Sequence, residues 1–206
     1  MRAVIGVDFD NTIVSYDDLL SLVAAERELL SPESLHDKKS IRDGIRSLPD
    51  GEIEWQKLQA EVYGPRIGEA RLIPGVGEFF RLCRQNSVAV FVISHKSEYA
   101  AQDATGTNLR IAAFDWMNRH ELFDTVKTGL TPRQIFFEST RNEKLARIRQ
   151  MRCTHFIDDM EETFLEKMFP ENVERILYRP AGGADTRFRI VAGWKEVIDH
   201  FFPSAA

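Results

Sequence analysis

A chain of 206 residues, 43% of them hydrophobic, is long enough for one large domain, or a domain with a modest insertion, around its own core. Its formal net charge of −5 argues against nucleic acid or an anionic membrane as general partner and favours a small-molecule ligand. Cys83 and Cys153 lack metal-type spacing, the apolar run before Asp8 is too short for a secretory leader, and no stretch is long enough to span a bilayer. The expectation is therefore a cytoplasmic protein, monomer or homodimer, with neither nucleic-acid nor membrane partners.

Ala3 to Val7 is a short, nearly continuous apolar run, the form of a strand buried on both faces of a parallel sheet. Asp8 falls at its carboxyl end, and Asp10 follows two residues on. Ser15-Tyr16-Asp17-Asp18 has the spacing of a capping box. It predicts a helix with Ser15 as N-cap and Leu19, Leu22, Val23 and Leu30 on its apolar stripe, ending at a Ser31-Pro32 turn. From Pro32 to Arg71 no β-like run occurs. Charged, helix-compatible segments, Leu35 to Arg46 and Glu52 to Val62, are broken there by Pro49-Asp50-Gly51 and Gly64-Pro65, so this stretch reads as a helical insertion. Its basic cluster of Lys38, Lys39, Arg42 and Arg46, with Trp55 and Tyr63, reads either as a solvated face with packing aromatics or as a binding surface.

Pro74-Gly75 opens the next helix, with Val76, Phe79, Phe80 and Cys83 on one stripe. Val88 to Ile93 is a second buried strand that ends at the polar cluster Ser94-His95-Lys96. Leu109, Ala112, Ala113 and Trp116 mark a helix, Gln134 to Glu138 a third strand, and a helix from about Asn142 carries Lys144 in its first turn. Thr154 to Ile157 is a fourth strand and ends at Asp158-Asp159. Phe164, Leu165 and Met168 fit a helix, Arg175 to Tyr178 a fifth strand, and Trp194, Val197, Ile198 and Phe201 a closing helix. Such alternation predicts an α/β fold: a doubly wound, Rossmann-like, mainly parallel sheet with helices on both faces and a ligand crevice outside the strands' carboxyl ends. On this reading residues 1–14 and 73–206 form the α/β core, and 15–72 a small α-helical cap.

In such a sheet Asp8, Asp10, Ser94, Lys144, Asp158 and Asp159 converge on one rim. Carboxylates gathered in one crevice either raise one another's pKa or require a cation, and an oxygen-only donor set suits Mg²⁺. No His or Cys spacing proposes zinc. With a cation and a lysine to neutralise phosphate oxygens, one carboxylate is left to attack, and Ser94 can give a hydroxyl to a phosphate oxygen. Taken singly, Ser94 reads as a strand-end hydrogen bonder, Lys144 as a surface lysine, and Asp158-Asp159 as helix-capping residues. Only the ordered set points to phosphoryl transfer.

The stretch Asp8-Phe9-Asp10-Asn11-Thr12-Ile13-Val14, Ser94 after an apolar strand, Lys144, and Phe156-Ile157-Asp158-Asp159 resembles the four ordered motifs of the haloacid dehalogenase-like (HAD) hydrolase superfamily. The resemblance covers about 150 residues. It implies that Asp8 is the nucleophile forming an aspartyl-phosphate, and that Asp10 is the general acid and then the base. It implies Mg²⁺ held by Asp8, the Asp10 backbone carbonyl and the Asp158-Asp159 pair, with Asp159 favoured as the direct ligand. Ser94 and Lys144 bind the phosphoryl group, Lys144 also restraining Asp8, with Lys96 or Arg141 as candidates to share its role. Asn11 and Thr12 shape the turn beneath. Asp10 points to phosphate chemistry rather than dehalogenation, and Phe9 departs from the lysine that the superfamily's transport ATPases carry there.

The insertion looks like a cap that closes over small substrates. On that reading Lys38 and Arg42 contact an acidic substrate, with His95, Asn11 and Thr12 at the crevice and Trp55 or Tyr63 stacking on a base or sugar. The expected function is a Mg²⁺-dependent phosphomonoesterase acting on a sugar phosphate or nucleotide. A phosphotransferase or phosphomutase is the enzymatic alternative, and a non-catalytic HAD-fold binding or regulatory protein the alternative of another class.

Overall fold

The computed structural model describes residues 2–30 and 38–203. The predicted Ser31-Pro32 turn and the start of the Leu35 to Arg46 segment lie outside the described residues. The strands are β1 (Val4–Val7), β2 (Val14–Ser15), β3 (Arg71–Leu72), β4 (Ala89–His95), β5 (Ile135–Glu138), β6 (His155–Asp158), β7 (Glu174–Tyr178) and β8 (Arg189–Val191). The helices are α1 (Asp17–Glu26), α2 (Lys38–Arg46), α3 (Gly51–Tyr63), α4 (Val76–Gln85), α5 (Leu109–Arg119), α6 (Arg141–Gln150), α7 (Glu161–Leu165) and α8 (Trp194–Phe201).

Six strands form one sheet in the order β5-β4-β1-β6-β7-β8, and every neighbouring pair is parallel. The continuous apolar runs of β1, β4 and β6 account for this, because both faces of these strands are buried. Val7, Val92 and Ile157 are in register on one face. The other carries Phe156, packed with Leu145 and Ile148 of α6 and Phe164 of α7. The result is the doubly wound α/β sheet read from the sequence, and its carboxyl edge lies where β1 and β6 run out into Asp8 and Asp158.

The chain divides into two compact units. One comprises residues 2–13, 72–96 and 118–203 and holds the six-stranded sheet with α4, α6, α7 and α8. The other comprises 14–71 and 97–117 and holds α1, α2, α3 and most of α5, including a stretch, 97–117, that the sequence reading placed in the core. In this second unit Trp116 donates its indole N–H to the Ala70 carbonyl across 3.0 Å.

Several local expectations are corrected. Ser15 is not an N-cap: it ends β2, α1 begins after Tyr16, and no side chain caps it. Leu22 is exposed, and the buried face of α1 is Leu19, Leu20, Val23 and Ala24. Leu30 lies beyond the helix end, which Glu28 marks with φ 54°. Helix α7 is only five residues long, buries Thr163 and Phe164, and leaves Leu165 exposed, with Met168 exposed beyond it. Strand β8 went unpredicted because three residues of an edge strand give too short an alternation to register.

Candidate active site

At the end of β1 the chain makes a tight turn. Asp8 N–H still completes the ladder to Ile157 O (2.9 Å), and Ile13 N–H closes back onto Phe9 O (2.9 Å). Asn11 takes φ 57°, a left-handed conformation that Asn tolerates better than most residues. Phe9, Thr12 and Ile13 are buried beneath the turn. Trp194 at the start of α8 pins it by donating Nε1–H to Thr12 O (2.9 Å). The Thr12 hydroxyl is buried and has no hydrogen-bond partner among the described residues.

Lys144 comes from the opposite side of the site. A capping box starts α6: the Glu143 amide donates to the Thr140 hydroxyl, while the Glu143 carboxylate accepts from the amide of Thr140. That fixed start places Lys144 one turn into the helix, 4% exposed, over the Phe156 ring with Nζ 5.3 Å from its centroid. Nζ donates to Asp8 Oδ1 at 2.6 Å and to Asp158 Oδ2 at 2.7 Å. The second Asp158 oxygen, Oδ1, accepts the Met160 amide (2.9 Å), so both oxygens of Asp158 are engaged.

One ammonium therefore serves two buried carboxylates, and the charge does not balance. Burial raises the Asp8 pKa, the Lys144 charge opposes it, and Asp158 and Asp10 add to the rise, leaving Asp8 at about 6. Burial pulls Lys144 down, but Asp158 and Asp8 outweigh it and hold the ammonium above its ordinary value. Burial is the larger cause at Asp8 and the two carboxylates are the cause at Lys144; with two carboxylates to one ammonium, a surplus negative charge remains in the cluster.

The other predicted residues divide. Ser94 is buried at the end of β4. His95 is exposed, its Nε2 bonded to Ser139 O at 3.1 Å. Lys38 stands over the Tyr63 ring and Arg42 bonds Asp43, both within the second unit. Trp55, suggested as a stacking surface, is 2% exposed and belongs to the core of that unit. Arg141 donates to Glu166 (2.9 Å). Lys96, by contrast, is 4% exposed, with its Nζ 2.9 and 3.1 Å from the two oxygens of Asp10. Its place two residues after Ser94 was the signal for it.

No family model matches the chain. Over 97 residues, 45% of this chain and 43% of the relative, it is 27% identical to a 2-hydroxy-3-keto-5-methylthiopentenyl-1-phosphate phosphatase of Brevibacillus brevis. The match thus spans less than half of that relative's length. A HAD family hydrolase from Deinococcus radiodurans, solved with bound phosphate and sodium, superposes with a TM-score of 0.57 at 14% identity, covering 97% of this chain and 94% of that one. A HAD-hydrolase from Bacillus subtilis, bound to magnesium, superposes with a TM-score of 0.54 at 11% identity, covering 98% and 99%. The chain has the HAD hydrolase fold.

Within this HAD fold the donor chemistry fits a hard divalent cation. One carboxylate oxygen from each of Asp8, Asp158 and Asp159 lies within 4.8 Å of the others, with no imidazole or thiolate in the group. The surplus negative charge in the cluster is what such an ion would neutralise. Asp10 is not a member of this carboxylate group; its side chain is turned to Lys96.

Proposed function

We propose that this chain is a Mg²⁺-dependent phosphomonoesterase of the HAD type, acting on a small phosphorylated metabolite such as a sugar phosphate or nucleotide. The observation that carries the reading is Lys144 held between Asp8 and Asp158, which leaves Asp8 buried and restrained, with one ammonium to two carboxylates, at the carboxyl edge of a parallel sheet. The likeness, over part of the chain, to a phosphatase of a small 1-phosphate supports the choice of reaction.

Asp8, the backbone carbonyl of Asp10 and the Asp158-Asp159 pair would hold the cation. Both Asp158 oxygens are engaged, by Lys144 and Met160, and Asp159 is taken as the direct ligand. When bound, the ion neutralises phosphate oxygens and so lowers the barrier to attack by an anionic nucleophile.

An Asp8 oxygen attacks phosphorus as the bond to the leaving oxygen breaks, and Asp10 gives that oxygen a proton. Asp10, now ionised, takes a proton from water, whose oxygen displaces Asp8 and releases inorganic phosphate. Ser94 and Lys144 bind the phosphoryl oxygens, and Lys144 keeps the attacking carboxylate in place. Lys96 holds the acid-base carboxylate at a fixed position through both steps.

The test is release of inorganic phosphate from a panel of sugar phosphates, nucleotides and phosphorylated acids, with and without Mg²⁺, alongside Asp8→Asn. Turnover that needs Mg²⁺ and disappears in a folded Asp8→Asn variant is expected. Activity that survives the substitution would overturn the nucleophile assignment.

A further inference from the structure

A second cluster of donor groups sits at the other end of the sheet. His155 opens β6 and Glu174 opens β7, and the two are in register across the parallel ladder. His200 reaches them from the last turn of α8. His155 Nε2 lies 3.4 Å from Glu174 Oε2, and His200 Nε2 lies 3.4 Å from Glu174 Oε1. One donor atom from each residue lies within 4.8 Å of the others, and all three side chains are only partly exposed. Asp158 is three residues further along β6, roughly 10 Å at the rise of a strand, so this cluster is separate from the carboxylate site.

We infer that His155, Glu174 and His200 form a second metal site, one for a borderline ion such as Zn²⁺, which joins α8 to the amino-terminal edge of the sheet. Two imidazoles and a carboxylate are a donor set that suits zinc rather than magnesium. The spacing agrees. Donors bonded at about 2.0–2.1 Å to a tetrahedral zinc stand roughly 3.4 Å from one another; His155 Nε2 stands at that distance from Glu174 Oε2 and His200 Nε2 at that distance from Oε1, so closing the site on Oε2 asks only that His200 move toward it from within the 4.8 Å that already holds one donor of each residue. Three protein ligands leave the fourth position to water.

The surroundings orient the imidazoles as a metal requires. The Thr154 hydroxyl accepts the Val4 amide (2.9 Å), lies 3.1 Å from Val4 O and stands 2.8 Å from His155 Nδ1, which fixes that edge of the ring on β6. In the tautomer that donates Nδ1–H to Thr154, the Nε2 lone pair of neutral His155 faces Glu174 Oε2, and a cation between them makes that contact attractive. The Phe201 ring lies edge-on to both imidazoles, with centroids 4.9 Å from His155 and 4.7 Å from His200. Arg189 bonds Glu174 Oε1 at 2.8 Å. It neutralises the carboxylate without the metal, and as an outer partner it would hold Oε1 while Oε2 ligates.

The experiment is calorimetric titration of the full chain with Zn²⁺ in excess Mg²⁺, repeated with His200→Ala and Glu174→Gln after circular dichroism has shown both folded. One zinc per chain at micromolar or tighter affinity is expected, weakened at least ~100-fold in both variants. Co²⁺ bound to the unsubstituted protein, displaceable by Zn²⁺ and giving an intense tetrahedral visible absorption, tests the same geometry without a substitution. No zinc uptake, or uptake that both variants leave intact, overturns the site. Neither result bears on the phosphatase reading, which rests on other residues.

Discussion

Lys96 and Asp10 form a two-pronged ion pair, with Nζ 2.9 and 3.1 Å from the two carboxylate oxygens. The lysine is itself almost fully buried and anchored by its own amide on Glu138 O (2.8 Å). Two lysines thus share out the carboxylates: Lys144 takes Asp8 and Asp158, and Lys96 takes Asp10. Lys96→Met should misplace Asp10, the proposed acid-base group, while leaving Asp8 restrained by Lys144. A loss of about 10²-fold in kcat, with KM changed much less, is expected from steady-state kinetics.

Asp10→Asn separates the two chemical steps. Overall turnover should fall about 10²–10⁴-fold. An aryl phosphate, whose leaving phenolate needs little protonation, should still phosphorylate Asp8. Rapid-quench measurements should then show a burst of phenol followed by slow phosphate release. Absence of the burst, with both steps slowed alike, would count against the division of roles.

Removing Lys144 leaves two carboxylates buried against each other. Breaking a buried pair in this way costs about 3–5 kcal/mol, and Lys144→Met should show a deficit of that order in urea unfolding at pH 7.5. Asp8 can relieve it by taking up a proton, so the deficit should shrink at pH 5. A deficit that does not vary with pH would mean that charge is not its source.

For Asp8 the folded pKa of about 6 lies above its ordinary 3.8, so the folded state binds the proton more tightly. This contribution to stability is fully present below about 3.8 and is lost as pH rises through 6. Mg²⁺ competes with that proton. The rise in Tm on adding Mg²⁺ should therefore be large at pH 7.5 and small at pH 5, measured by scanning calorimetry.

Gly6 is opposite Phe156 on β1, the strand that ends at Asp8. A Cβ there would meet the Phe156 ring at 2.5 and 2.8 Å and Cys153 Sγ at 3.1 Å. Gly6→Ala should destabilise by about 1–3 kcal/mol in chemical denaturation. Because the same ring lies under Lys144, activity should fall more than the residual folded fraction accounts for.

Much of this was legible because a parallel sheet buries its strands on both faces. The runs Ala3 to Val7 and Val88 to Ile93 announce themselves without context, and the residues that end them must lie at the sheet's edge. Helices were harder to place. Ser15 had the chemistry of a cap but belongs to a strand, and Leu22 had the hydrophobicity of a core residue but faces solvent. A five-residue helix such as α7 carries too little periodicity to separate its buried side from its exposed one.

The sequence alone determined which groups gather at the carboxyl edge, since chain order and strand polarity suffice to bring Asp8, Ser94, Lys144 and Asp158 together. Only the tertiary structure decided who is paired with whom: that Lys144 bridges Asp8 and Asp158, that Lys96 belongs to Asp10, and that Arg141 goes to Glu166. It alone also assembled His155, Glu174 and His200, which no short spacing connects. The physical reason is the same in each case. Strand periodicity is local and survives in one dimension, whereas the reach of a lysine or an imidazole is settled by helix phase and packing.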